Sequence, residues 1–425
     1  MEDKIYDYAV IGTGLSSLGI LHKISKKNKS IIIIESSNSI IKKNFKKPIY
    51  CEENIPIPIS KNFFEKKRPF FELLNYKSYG GNTNHWGGYC CRFNKQDLKK
   101  WPINIQKLNE YYLEAEKILN IKNLKSQFKD NLLISQSRIA KSKNKIFNSS
   151  NLIAKLIDKK NIKIKFDELI SFKKKSKVFY LIVKNNKNHF LCKKLVICAG
   201  VYASQEILKK SITKSRFKKV EQAQSYIIPV ILSKNSQNLK KDNQIIYNSK
   251  TKYGNIYFEI KKNDKLLKKT MKQNINFFSK LIPNFILKKI AIVWGFIPSE
   301  FSHDYHIVDK RIKFINSHNK KNKFKTLIYM NVVAKILREK LNLIVFKKLI
   351  KLTQFARSYH VGSNIPMSLK KKKYLTTKIS GEINLKRFSN LYLSGSSVFP
   401  NLPSKSHGLT ILANSLRIGD YLNNE

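Results

Sequence analysis

YDYAVIGTGLSSLGILHKISKKNKSIIIIE, residues 6–35, is the stretch from which the rest of the chain is read. Tyr6 to Ile11 reads as a short strand carrying Ala9, Val10 and Ile11. The turn Gly12-Thr13-Gly14-Leu15-Ser16-Ser17 follows, and then a helical segment with Leu18, Leu21 and Ile24 on its apolar side. Ile31 to Ile34 reads as a second, fully buried strand that ends in Glu35. Strand, glycine turn, helix, strand and acid in thirty residues is the order of a dinucleotide-binding βαβ unit. Gly12 permits the tight turn, Gly14 lets backbone approach a pyrophosphate, and Ser17 is small enough for close helix–strand packing. The helix N-terminus offers free N–H groups to phosphates, and Glu35, 23 residues after Gly12, is placed to accept from ribose hydroxyls. The motif leaves open whether the ligand is FAD or NAD.

Outward from that stretch, 425 residues suffice for a large core and two interlocked domains. Hydrophobic content of 42% and aromatic content of 11% exclude a disordered chain. The net charge of +55 raises nucleic acid as a partner, but only nine of the 83 basic residues are arginine and they are spread along the whole chain. A solvated lysine coat is the reading taken, with attraction to an anionic membrane or acidic glycan second, and no nucleic acid. Five cysteines, Cys51, Cys90, Cys91, Cys192 and Cys198, form no CxxC or zinc spacing, and their odd number suits reduced thiols. No metal is expected. The first strand begins so early that no cleavable signal fits before it, and no apolar run reaches membrane-span length, so a cytoplasmic protein is expected.

Residues 36–78, with Pro48, Pro56, Pro58 and Pro69, read as an irregular excursion. GGNTNHWGGYCCR, residues 80–92, reads as a loop, and Leu108, Tyr111, Tyr112, Ala115 and Ile118 repeat at helical spacing. Residues 130–160 read as helical. Alternation over Ile162 to Val196 gives short strands that deliver the chain into LVICAG, residues 195–200, before a further helix. Tyr226–Leu232, Asn255–Ile260 and Thr326–Val333 read as strands. Residues 275–298 are strongly apolar, read as core or pocket floor, with a membrane-touching patch as the alternative. Leu391–Leu393 is a strand, and Leu409, Leu412, Ala413 and Leu416 mark a final amphipathic helix.

Four blocks in this order resemble the glucose–methanol–choline oxidoreductase family, flavoenzymes that oxidise alcohols. They are the βαβ unit with Gly12, Gly14, Ser17 and Glu35; the GGNTNHWGG loop from Gly80; LVICAGVYASQEIL, residues 195–208; and the tail from YHVGSNIPM, residues 359–367, through residues 390–422. The loop is similar to that of the pyranose-oxidase and bacterial sugar-dehydrogenase branch, whereas residues 226–340 match nothing in the family.

The resemblance implies an α/β protein. Its discontinuous Rossmann-like FAD-binding domain would comprise 1–100, 140–225 and 385–425, with a substrate domain of sheet plus helices at 101–139 and 226–384. It implies FAD held by Gly12, Gly14, Leu15, Ser17, Glu35, Gly80, Gly81, Asn84, His85, Trp86, Gly87, Ala199, Gly200, Gly395, Ser396, Gly408, Leu409 and Thr410. His360 takes the position of the base and His407 that of its partner; an unperturbed imidazole pKa of ~6.5 suits proton exchange near neutrality. In some relatives the histidine of a Thr-His-Trp sequence is bonded to the flavin, and here the sequence is Asn84-His85-Trp86, which raises a covalent link at His85. Ser17 in place of a glycine and Ser363-Asn364 in place of glycine-threonine depart from the pattern. The expected activity is oxidation of a CH–OH group of a sugar or polyol, with oxygen, a quinone or a carrier protein as acceptor. An FAD-dependent reductase or desaturase acting on a lipid is the rival, and a binding protein that keeps the fold is the third reading.

Overall fold

The structure is a computed structural model that describes residues 4–37, 56–58, 70–72, 77–122, 126–129, 131–142, 145–158, 161–185, 189–233, 243–248, 254–261, 289–302, 305–308, 311–314, 320–347, 350–352 and 359–424. Most of the 36–78 excursion lies outside them, as do residues 275–288 of the apolar stretch, Cys51, His303 and His318.

The first sheet holds β1 (Ile5–Ile11), β2 (Ile31–Glu35), β3 (Ile162–Phe166), β4 (Leu169–Lys175), β5 (Val178–Val183) and β6 (Phe190–Ile197). Their spatial order is β4-β5-β6-β1-β2-β3, and Leu391–Leu393 pairs with the other part of β6. β1 runs parallel to both β2 and β6, with Ile11 opposite Ile34 on one side and Ile197 on the other. Every residue of β2 is buried, which is why the strand reads as an uninterrupted apolar run rather than an alternating one. The chain leaves β1 towards β2 and returns later on the opposite side as β6. This reversal opens a crevice at the carboxyl ends of the two strands, where ligands bind in open α/β sheets.

Helix α1 (Leu15–Ile24) packs along the last helix of the chain, Gly408–Asn424. A β-carbon on Gly19 would lie 2.7 Å from Ser415 Cβ, so the missing side chain lets the helices touch. Helix α2 (Ile105–Ile118), expected with the substrate unit, instead buries Leu108, Tyr112 and Ala115 in the core around the first sheet. Between 130 and 160, where one helical stretch is expected, the chain forms the strand Leu132–Gln136, two short hairpin strands and only then α3 (Ser149–Ile157). Leu132 enters the core of a second sheet, and that burial outweighs local helix propensity. Helix α4 (Gly200–Ser211) follows β6.

The second sheet is antiparallel and is built on β7 (Ser225–Leu232), β8 (Asn255–Lys261) and β9 (Ile290–Phe296). Thr326–Val333, read as a strand from its β-branched residues, lies within α5 (Lys320–Glu339). Tyr329, Val333, Ile336 and Leu337 all enter the second core, a spacing only a helix meets. The alternation of β9 ties the two cores together. Ala291 and Val293 face the second core, while Trp294 and Phe296 pack against the first. The described end of the apolar stretch is therefore interior. Among the described residues, no helix is long and apolar enough to cross a membrane.

Candidate active site

The crevice at the ends of β1 and β6 is a cavity of about 580 Å³. Its phosphate end is made by the first turn. Gly12 sits at φ +95°, and a β-carbon there would meet Cys198 O at 2.9 Å, so no other residue fits. Gly14 differs: it lines the cavity, and nothing lies within 4 Å of where its β-carbon would stand. Gly200, at φ +76° and also on the wall, has the same open space. Neither α1 nor α4 has a side-chain cap, so their first-turn N–H groups open on this space. Gly395, at φ +114°, brings Ser16 and Ser396 to the same end.

Glu35 is buried at the edge of the cavity. It accepts from Thr13 Oγ1 at 2.6 Å and from Ser37 N at 2.9 Å. Burial raises its carboxyl pKa, and these hydrogen bonds pull in the opposite direction. Thr13 Oγ1 also accepts from Gly80 N at 2.8 Å, linking the glycine loop to the first turn. Nothing in the sequence marks this role for Thr13 except its position between two motif glycines. Gly81 completes the contact, since a β-carbon there would lie 3.1 Å from Gly14 Cα.

Within the loop, Asn84 turns away from the cavity and donates to Ser78 Oγ, Tyr79 O and Gly81 O. His85, Trp86 and Gly87 do line it. Trp86 donates Nε1 to Phe147 O at 2.7 Å and covers Gly408, where a β-carbon would meet its ring at 2.5 Å. Gly408 opens helix α6 (Gly408–Asn424) at the cavity wall. Leu409 and Thr410, the next two residues, face the core, with Thr410 Oγ1 bonded to Tyr112 OH at 2.7 Å. Ser17 is likewise buried off the wall, and Gly80 shapes the loop from behind. Fifteen of the twenty sequence-selected site residues thus line one cavity, and Ser17, Gly80, Asn84, Leu409 and Thr410 support it from outside.

At the other end stand the two histidines. His360 immediately precedes the strand Val361–Gly362, which pairs with Glu221–Gln222, and the His360 carbonyl accepts from Ala223 N. A β-carbon on Gly362 would meet Ser396 O at 2.3 Å, so glycine brings this strand onto the 394–407 segment. Ser363 N donates to Ser396 O, and Ile365 N to Ser397 O. Ser363 is held at φ +63°, which costs a serine about 1–2 kcal/mol and a glycine little. Its Oγ donates to Pro400 O and accepts from Lys218 Nζ, both at 3.0 Å, offsetting that strain.

The His360 and His407 rings stack with centroids 4.3 Å apart. Phe296 covers His360 at 3.7 Å, and Phe93 meets His407 edge-on at 5.7 Å. Burial pushes His407 down to about 4, only partly opposed by Pro403 O. Burial, and then the neighbouring His407, holds His360 well below the usual range. Both rings are therefore neutral at physiological pH and able to accept a proton. His407 Nε2 lies 3.5 Å from Pro403 O, while its Nδ1 is buried with no hydrogen-bond partner. Trp294, Phe296, Tyr89 and Tyr359 complete this end, residues for which the sequence carried no motif.

These residues fit a flavin dinucleotide. The glycine cradle leaves room for a pyrophosphate, Glu35 is a buried acceptor at the end of β2, and His407, on the wall of the same cavity, keeps an orphaned Nδ1. Among the described residues no group of three or more His, Cys, Asp or Glu is arranged to hold a metal.

No protein-family model matches the chain. No curated protein matches it either. The fold is nonetheless shared with solved structures, among them the crystal structure of pyridoxine 4-oxidase from Mesorbium loti. That match has a TM-score of 0.65 and 10% identity and covers 99% of each chain. At that identity the likeness is one of fold, an α/β architecture with a Rossmann-like unit and a second sheet-and-helix domain, spanning the full length of both chains.

Proposed function

We propose that this protein is an FAD-dependent oxidoreductase of the glucose–methanol–choline type that oxidises a CH–OH group. The stacked, neutral His360–His407 pair on the wall of a glycine-cradled cavity carries the reading.

Bound flavin supplies the hydride-accepting centre. The first turn and α1 would hold the pyrophosphate, Glu35 would accept from ribose, and residues 81–83 and 85–88 of the glycine loop would line the wall beside the ring system. At the reacting end the alcohol hydroxyl gives its proton to an imidazole, with His360 as base and His407 Nδ1 hydrogen-bonding the substrate oxygen. The low proton affinity of both rings keeps them available as acceptors. The N-terminus of α6 adds unbonded N–H groups and the positive end of its dipole at the same wall. Phe296 and Trp294 exclude water from the pair.

For substrate we favour an uncharged alcohol with a flat ring. The ring contacts of the histidines are aromatic, Phe296 on His360 and Phe93 and Phe399 on His407, while the cavity's lysines, Lys77 and Lys210, are paired with Glu168 and Glu206. An aromatic ring alcohol suits this wall, as the name pyridoxine 4-oxidase would suggest for the structure sharing the fold, and so does the apolar face of a pyranose. Anionic sugars are disfavoured.

The test is spectroscopic. The purified protein should be yellow, release its flavin to the supernatant on acid precipitation, and bleach anaerobically with a ring alcohol. Colour retained in the pellet would instead mean a bond at His85. A colourless protein that takes up no FAD would overturn the proposal. Rapid return of colour on admitting oxygen would mark oxygen as the acceptor.

A further inference from the structure

A second cavity, of about 600 Å³, lies at the C-terminal end of α4. The dinucleotide crevice runs along α4 from Gly200 to Lys210, whereas the second cavity begins at Ile212, just past the helix, and the two share no lining residue. Its floor is apolar, formed by the buried side chains of Ile212, Leu375 and Phe388. Its rim is cationic: Lys214, Arg216, Lys371, Lys372, Lys373, Lys386 and Arg387.

The lysine coat of the chain does not account for this rim. Seven of the sixteen lining residues are basic, against 83 of 425 in the chain, and none is acidic. The dinucleotide crevice of the same protein has Lys77 and Lys210 against Glu35, Asp167, Glu168 and Glu206. Elsewhere lysines find carboxylates, as Lys378 finds Glu382 and Lys218 finds Glu221. Among the described residues none of the seven has such a partner. The three segments are also stitched together. Leu375 N donates to Arg216 O at 2.8 Å and Asn384 N to Thr376 O at 2.9 Å. The Arg387 guanidinium rests over the Phe388 ring at 4.8 Å.

The geometry points to a binding site for a small polyanion carrying two or more phosphate groups. Like charges gathered on one concave rim repel each other, and a multivalent anion relieves that repulsion at several points at once. Arg216 and Arg387 supply planar forks that suit phosphate oxygens, and the lysines add point charges around them. A cleft of about 600 Å³ is the size of a small-molecule site rather than a track for a polymer.

The experiment is calorimetric titration of the full-length protein with sodium tripolyphosphate at physiological salt. Arg216→Gln/Arg387→Gln is compared with Lys163→Gln/Lys165→Gln on β3, an equal charge loss at exposed positions outside the cleft. One saturable site per chain, weakened at least tenfold by the arginine pair and unchanged in the control, is expected. Equal weakening in both variants, or binding with no saturable site, would overturn the assignment. Should the arginine pair fail to fold, Lys371→Gln/Lys372→Gln on the exposed loop makes the same comparison. A single-stranded oligonucleotide that displaces tripolyphosphate and binds more than tenfold tighter would replace the small ligand with a nucleic acid. The dinucleotide site is untouched by either variant, so flavin content and activity report separately on the proposed oxidoreductase function.

Discussion

The imidazole rings of His360 and His407 lie 4.3 Å apart, centroid to centroid, and only 26° from parallel. Two rings so close and so buried cannot both carry a proton: burial lowers the proton affinity of each, and His407 lowers that of His360 further. As the proposed base, the pair should stay unprotonated well into the acid range.

Replacing His360, the proposed base, with Asn keeps a hydrogen-bonding group of similar size and removes the proton acceptor. Flavin reduction by the alcohol should slow by about 10²–10⁴-fold while flavin content stays unchanged. Stopped-flow absorbance under anaerobic conditions measures this, and a variant reducing at the parent rate would remove His360 from the chemistry.

The pH dependence has a definite sign. A base must be unprotonated to act, so depressed pKa values extend activity to the acid side. The acid limb of kcat/KM should fall below pH 6, under the ordinary histidine value of 6.5, with His407 itself near 4. Stability follows the same linkage: His407 is depressed in the folded state, so its contribution is complete above about pH 6.5 and is lost as pH falls towards 4. The loss is about 3 kcal/mol for this ring alone. Thermal melts from pH 7 to 4.5 should show a decline that His407→Phe flattens.

Gly12 and Gly14 look alike in sequence and should behave differently. Gly12→Ala forces a β-carbon to 2.9 Å from Cys198 O at φ +95°, and should cost about 1–3 kcal/mol in a melt. Gly14→Ala meets open space at an ordinary extended φ, so Tm should hold while flavin affinity falls at least tenfold. Equal Tm losses in the two variants would contradict this division.

Lys405 and Asp97 form an ion pair of 2.5 Å with side chains 1% and 5% exposed, two residues before His407. Lys405→Met leaves the Asp97 carboxylate buried and unpaired and should cost about 3–5 kcal/mol. Lys405→Met with Asp97→Leu should recover most of that loss. Chemical denaturation of the three proteins compares them, and a double variant no better than the single would show that the pair itself is needed.

Much of this protein is written locally. The run from Tyr6 to Glu35 specifies its turn, helix and strands through contacts between near neighbours, and the amphipathic spacing of Leu409 to Leu416 does the same for α6. What lies outside such windows was not legible. Thr326–Val333 has strand-like composition, yet the second sheet needs a helix across it. Thr13 carries no motif of its own, yet it joins Glu35 to Gly80. Trp294 and Phe296 reach the histidines only because β9 alternates between two cores. The sequence by itself determined the βαβ unit, its glycine cradle and the chemical types at the candidate site. Only the tertiary structure decided that His360 and His407 stack, because their meeting depends on Gly362 admitting the Ser396 carbonyl and on burial that comes from distant segments. Short-range patterns encode dihedral preference and amphipathicity; proximity between remote side chains, and the desolvation that tunes them, exists only once the chain has packed.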